Sequence, residues 1–140
     1  MNSFHLTYEA LSVELLVQQV QNPKAGAIAT FLGVTRNNNL GEQVQSLEYE
    51  AYEAMALKKL KQIGIETQTR FKIIDIAIWH RLGIVHIGET SVAIAVSSAH
   101  RKSALEACHF AIDRLKEIVP IFKKEYFAQS GARWVPNHTS

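Results

Sequence analysis

The amino-acid sequence predicts an α+β fold with a largely antiparallel or mixed sheet. Three observations carry that expectation: apolar residues alternate with period two in several short runs, they switch to helical spacing in others, and strand-like runs come in pairs between the helices. At 140 residues the chain suits a single domain spanning residues 1–140, with no repeat, low-complexity segment or linker.

Phe4, Leu6 and Tyr8 alternate with His5 and Thr7 and predict a half-buried first strand. From Ser12, a candidate N-cap, Val13, Leu16, Val17 and Val20 recur at helical spacing until Asn22-Pro23 stops them. Residues 25–35 are apolar and partly β-branched, which predicts a buried strand; Arg36-Asn37-Asn38-Asn39-Leu40-Gly41 then suits a turn. A strand starting near Val44 sets Leu47, Tyr49 and Ala51 on one face and Glu48 and Glu50 on the other, solvated one. Ala56, Leu60 and Ile63 mark the apolar stripe of a second helix, with Lys58, Lys59 and Lys61 outside and Gly64 weakening its end. Residues 71–79 and 91–98 are β-type runs, with a turn at Arg81-Leu82-Gly83, and suggest a hairpin. Leu105, Cys108, Ile112 and Leu115 form the clearest helical stripe, after a candidate N-cap at Ser98 and before Pro120, which ends or kinks the helix. Residues 121–126 read as a further turn or two of helix, and Arg133-Trp134-Val135 as a last short strand. The predicted order is β-α-β-β-α-β-β-α-β.

Composition narrows the function classes. Hydrophobic residues make up 47% and charged residues 20%, the balance of a packed globular protein. With 15 Lys+Arg against 13 Asp+Glu, the formal charge of +2 is too small for bulk attraction to nucleic acid, which disfavours an RNA-binding domain. Any cationic site must be local. The single Cys108 offers neither an internal disulfide nor a zinc set, and His80, His86 and His109 lack metal-ligand spacing, so no metal is expected. Glu9 and Glu14 interrupt the first twenty residues, unlike a secretory leader, and the uncharged stretch 90–100 is far short of the roughly 18 apolar residues of a membrane span. A cytoplasmic location and no membrane partner are the expectations.

Lys116 and Lys123 are seven residues apart with Pro120 between them. Proline crowds the carbonyl four residues back, so the chain is expected to break there, which lets the two amines converge across a bend; the alternative is that both are solvated surface lysines. A lysine that works as a base or nucleophile needs a lowered pKa, through desolvation or a neighbouring cation such as Lys123, Lys124 or Arg101. The helix C-terminus opposes this by less than about 1 kcal/mol, whereas burial shifts a lysine by several pKa units. Ser97-Ser98-Ala99-His100-Arg101 passes from strand to helix, where backbone N–H groups bind anions and arginine grips phosphate; the alternative is that Ser98 caps the helix and Arg101 faces water. Arg36, in its polar loop, has the same two readings. Neither a phosphate-binding glycine loop nor a dinucleotide fingerprint is present.

Several segments in this order resemble one known family, the large catalytic subunit of molybdopterin synthase. They are residues 26–33 (GAIATFLG) with Arg36-Asn37, residues 47–52 (LEYEAY) with Met55, His80-Arg81-Leu82-Gly83 and Ser98-Ala99-His100-Arg101. Leu115-Lys116, Pro120, Lys123-Lys124-Glu125 and Arg133-Trp134-Val135 complete the set. The likeness runs from about Gly26 to Val135, with Phe122 where a tryptophan often stands.

The resemblance implies an α/β hammerhead-like domain with an added antiparallel subdomain. It also implies a sulfurtransferase that builds the dithiolene of molybdopterin from cyclic pyranopterin monophosphate. Sulfur would come from the C-terminal thiocarboxylate of a small ubiquitin-like carrier, on a homodimer within a heterotetramer, with no cofactor. By position, Lys116 and Lys123 would be catalytic. Phe31, Val34, Thr35, Arg36, His100, Arg101, Lys124, Glu125 and Arg133 would line the substrate pocket or the channel for the carrier tail. The alternative is a non-enzymatic module that binds anions or nucleotides with the same basic cluster.

Overall fold

A computed structural model of the protein describes residues 1–136. Twelve elements follow in chain order: β1 (Ser3–Thr7), α1 (Val13–Val20), β2 (Ala27–Val34), β3 (Asn38–Asn39), β4 (Glu42–Ala51), α2 (Glu53–Arg70), β5 (Asp75–Arg81), β6 (Gly83–His86), β7 (Thr90–Ser98), α3 (Arg101–Ile118), β8 (Ile121–Phe127) and β9 (Gly131–Val135). The first sheet has the order β1-β5-β7-β2, with β1 parallel to β5 and the other pairs antiparallel. The second, wholly antiparallel sheet runs β3-β4-β8-β9, with β6 on the other edge of β4. The predicted α+β class and mixed or antiparallel sheets are what the chain adopts.

Side-chain size decides how the first sheet is covered. On one face Ala77, Ala93 and Ala95 leave room for Leu16 and Val20 of α1 to pack close, with Trp79 beside them. On the opposite face Ile76, Ile78, Val92, Ile94 and Val96 meet the apolar stripes of α2 and α3, including Leu60, Ile63, Ala104, Ala111 and Leu115. Each fully buried Leu, Ile or Val contributes about 1.5–3 kcal/mol relative to exposure, so this double-sided burial is the bulk of the fold's stabilisation.

Five local expectations need correction. Pro120 ends α3 as expected, but residues 121–126 belong to strand β8, because Ile121, Lys123, Glu125 and Phe127 alternate inward against β4. Within residues 25–35 the strand is β2 (Ala27–Val34), an edge strand whose alternating exposure reflects pairing on one side only, with β7. The runs near 71–79 and 91–98 do pair antiparallel, but the strand starts at Asp75, and between the two the chain leaves the sheet to form β6, with Gly83 at φ +83°. The N-cap of α3 is His100, and the Ser98 hydroxyl donates to the His100 carbonyl instead of capping the helix. Ser12 does cap α1, accepting from the Leu15 amide at 3.2 Å.

The fifth concerns α2, which runs straight through Gly64 to Arg70. A β-carbon at Gly64 would lie 2.3 Å from Cζ of Phe4, so glycine is there to let β1 approach the helix. Gly64→Ala should gain up to about 1 kcal/mol of helix propensity yet lose about 1–3 kcal/mol to overpacking. Urea denaturation should therefore show a lower midpoint for Gly64→Ala, and in a Phe4→Leu background the same substitution should be neutral or stabilising.

Candidate active site

A cavity of about 830 Å³ opens between β2, α3 and the inner face of the second sheet. Its size suits a small organic molecule. Phe31, Leu47 and Ile112 supply apolar wall, and the charged lining residues are Arg36, Lys116 and Lys123 with Asp113, Glu117 and Glu125. Each element delivers its residue by simple periodicity. Lys116 sits in the last turn of α3, four residues after Ile112 and thus on the same face. Lys123 and Glu125 are alternate residues of β8, so both point inward, opposite Tyr49 and Leu47 of β4.

Burial dominates the electrostatics. The Lys116 amine is pushed down to about 8, first by desolvation and then by the nearby Lys123 ammonium. The end of the α3 dipole favours the charged amine, and burial outweighs it. Lys123, only 3% exposed, is also shifted down by desolvation; Glu125 opposes that shift and the Arg36 guanidinium adds to it. Its Nζ lies 4.0 Å from Oε1 of Glu125, and Nδ2 of Asn39 donates to both oxygens of that carboxylate at 3.0 Å. The arrangement places two proton-losing amines beside one tethered carboxylate in an apolar recess, suited to receiving an anion and moving a proton at it.

The structure groups five of the eleven expected site residues directly around the charge cluster: Lys116, Lys123, Glu125, Arg36 and, on the apolar wall, Phe31. Val34 also lines the cavity, with half its surface exposed. Thr35 is buried next to it, and its Oγ1 has no hydrogen-bond partner. Lys124 points to the outer face of β8, its Nζ 4.7 Å from the centre of the Trp134 ring. Arg133 stands opposite Glu125 on β9, on the same face of the sheet, but pairs with Glu42 and stacks on Phe127, 4.1 Å from the ring centre, and does not line the cavity. His100 and Arg101 stand exposed at the opposite end of α3, about 22 Å along the axis from Lys116 at 1.5 Å per residue.

Residues that the sequence reading passed over also meet here. Asn39 lines the cavity, and so does Tyr49, whose phenol is shifted up by burial. His80 is fully buried behind them, edge-on to Tyr49 at 4.9 Å, with Nδ1 2.7 Å from the Arg81 carbonyl. Burial holds it down to about 4, and the Lys116 charge adds to that, so the imidazole is neutral at physiological pH. Its position within His80-Arg81-Leu82-Gly83 was the available signal. Cys108 forms part of the wall, but burial lifts its thiol to about 11, which leaves it a packing residue. Among the described residues, no group of three or more His, Cys, Asp or Glu could hold a metal ion.

An α+β domain that sets two desolvated lysines in one recess has the parts of an enzyme that moves protons at a small bound molecule. The chain belongs to the MoaE protein family, whose model matches residues 6–118. It is 45% identical to the molybdopterin synthase catalytic subunit of Bacillus subtilis (strain 168), over 96% of this chain and 85% of that one. It superposes on the X-ray structure of molybdopterin synthase from Staphylococcus aureus with a TM-score of 0.90 at 42% identity, covering 96% of this chain and 98% of that one. A more distant match at 22% identity and a TM-score of 0.75, covering 96% of this chain and 89% of that one, is to the complex of subunits 1 and 2 of molybdopterin-converting factor from Helicobacter pylori 26695; it shares the fold. The family resemblance read from the sequence is borne out.

NMR titration of the Lys116 side chain should give a midpoint near 8. In Lys123→Ala the midpoint should rise, because a neighbouring positive charge has been removed; an unchanged or lower midpoint contradicts the coupling. The folded amine holds its proton less tightly than the unfolded one, so charging it costs stability below pH 8, and stability returns as pH rises toward 10.5. Lys116→Met should accordingly be more stable than wild type at pH 7, by about 1–2 kcal/mol after solvent screening, with the difference shrinking at alkaline pH.

Proposed function

We propose that this chain converts cyclic pyranopterin monophosphate to molybdopterin, taking both dithiolene sulfurs from the C-terminal thiocarboxylate of a small ubiquitin-like carrier. The observation that carries the reading is the convergence of Lys116 and Lys123 in one recess, their pKa values both lowered by burial. The thiocarboxylate is itself the nucleophile, which fits a site whose only cysteine is a buried, protonated wall residue. Each transfer forms a carbon–sulfur bond to the pterin as a carbon–oxygen bond at the same carbon breaks, the oxygen leaving with the opened phosphate or as water. A water then cleaves the carrier's carbon–sulfur bond, so that the sulfur stays on the pterin and the carrier leaves as a carboxylate.

Lys116 stands nearest the reacting carbons and the carrier's terminal glycine in this scheme. An amine with a pKa near 8 is split between both protonation states at cellular pH, as a proton shuttle requires. Lys123 keeps the anionic sulfur in place and lowers the proton affinity of Lys116. Arg36, at the cavity rim, is assigned to the substrate phosphate.

His100 and Arg101 are not among the residues that line the cavity of their own chain, and they stand far along α3 from Lys116. In the proposed homodimer they serve the phosphate and pterin in the site of the second copy. Lys124 belongs to the outer face of β8 and Arg133 to the exposed margin beside Glu42, both where the carrier arrives, and Thr35 acts by fixing Val34 and Arg36 on either side of it. No helix among the described residues is long and apolar enough to cross a membrane, and the buried thiol of Cys108 suits the reducing cytoplasm in which we place the enzyme. A carrier on each copy makes the heterotetramer.

Purified protein, thiocarboxylated carrier and cyclic pyranopterin monophosphate should together yield molybdopterin, scored as its fluorescent oxidation product. Lys116→Ala should lower turnover by about 10²–10⁴-fold while still binding the carrier. The rival reading, an anion-binding module without chemistry, predicts no product from the wild type under conditions in which a homologue works. Analytical ultracentrifugation at micromolar concentration should show a dimer; a monomer would remove His100 and Arg101 from the site.

A further inference from the structure

Lys123 and Glu125 pose a problem that the mechanism above leaves open. A buried ammonium and carboxylate attract strongly, and a free carboxylate would close onto the amine and neutralise the charge needed for the sulfur anion. In the structure they stay 4.0 Å apart. What holds Glu125 is Asn39, whose single Nδ2 donates to both carboxylate oxygens at 3.0 Å. An ionised carboxylate only accepts, so the amide must present its N–H₂ group, and aspartate, which has none, could not substitute. Asn39 reaches this point because β3 folds back on β4, pairing Asn39 with Glu42. The same short segment starts at Arg36, so one hairpin delivers both the guanidinium at the rim and the tether on the carboxylate.

We propose that Asn39 is a positioning residue of the reaction, acting through Glu125 to keep the Lys123 amine available to the anionic sulfur. The role rests on the sulfur-transfer reading given above. Asn39 touches neither reactant; it fixes the direction of the carboxylate and spreads its charge over two N–H donors. The groups facing Lys123 are Glu125 on its own strand, Tyr49 across on β4, Arg36 from the loop and Lys116 from α3. Asn39 controls only the first of these.

The test is a double-mutant cycle between Asn39 and Glu125, read on the NMR titration of Lys123. Asn39→Ala should move the Lys123 midpoint upward by about 0.5 or more, because an untethered carboxylate binds the ammonium more closely. In a Glu125→Ala background the same substitution should move it no further. In the sulfur-transfer assay Asn39→Ala should lower kcat by about 10- to 100-fold with little change in KM for the pterin. Asn39→Asp, isosteric and tolerant of the same turn, should be worse than Asn39→Ala because it sets carboxylate against carboxylate; it also serves if the alanine variant folds poorly. An unmoved midpoint, or a shift that persists without Glu125, overturns the proposal. If the wild type makes no molybdopterin while the titration cycle behaves as described, the reaction assignment fails and the tether stands.

Discussion

The constraint on which the rest of the structure depends is the cost of keeping two amines in a recess with little water. Each ammonium there loses solvation, and their mutual repulsion raises the cost again, which is why both lose proton affinity. Such a pair survives only on a scaffold whose own burial exceeds the penalty. The two-sided packing of the first sheet supplies that scaffold, with α1 on one face and α2 and α3 on the other. Lys116 is mounted on α3, among the most heavily packed of these elements, and Lys123 on β8, paired along both edges by β4 and β9. Neither side chain can leave by a small movement of its backbone.

The join between these elements explains the spacing of the pair. Pro120 cannot continue α3, and its carbonyl accepts from the amide of Tyr52 at the end of β4, so the chain turns directly into an antiparallel strand. A helix end and a strand start then face one another across a short bend. The seven-residue interval that would align two lysines along a continuous helix here brings them together from two different elements. The break at Pro120 and the convergence agree with the sequence reading, whereas the helix expected after the proline is a strand.

That mixture shows what was legible in the sequence. Helix α3 was readable because Leu105, Cys108, Ile112 and Leu115 follow one period, and α1 because Ser12 and Pro23 bracket it. Strand β8 was hidden by its function: of its four inward residues two are Lys123 and Glu125, which remove the alternation of apolar residues that marks a strand. The edge position of β2 was hidden for a different reason, since an apolar run does not say how many neighbours it has. Gly64 was misread because its role is a contact with Phe4, sixty residues earlier, rather than a local conformational preference. Lys116, Lys123 and Arg36 were found from charge chemistry and the family pattern together. Asn39 was not, because an asparagine among asparagines in a turn looks like turn composition until the carboxylate it holds is known.

The near-neutral net charge has the same logic. A site for two anionic reactants does not need a basic protein; it needs cations whose charge is not spent on neighbours. Outside the cavity several arginines are paired: Arg114 with Glu66 and Glu117, Arg81 with Glu89, Arg133 with Glu42. The three carboxylates that line the cavity also have partners: Glu125 is held by the Asn39 amide, Asp113 stands 3.3 Å from His109 and Glu117 3.5 Å from Arg114. Charge in this protein is therefore set by pairing rather than by composition. Two hydrogen bonds from an uncharged hairpin residue set how closely Glu125 pairs with Lys123.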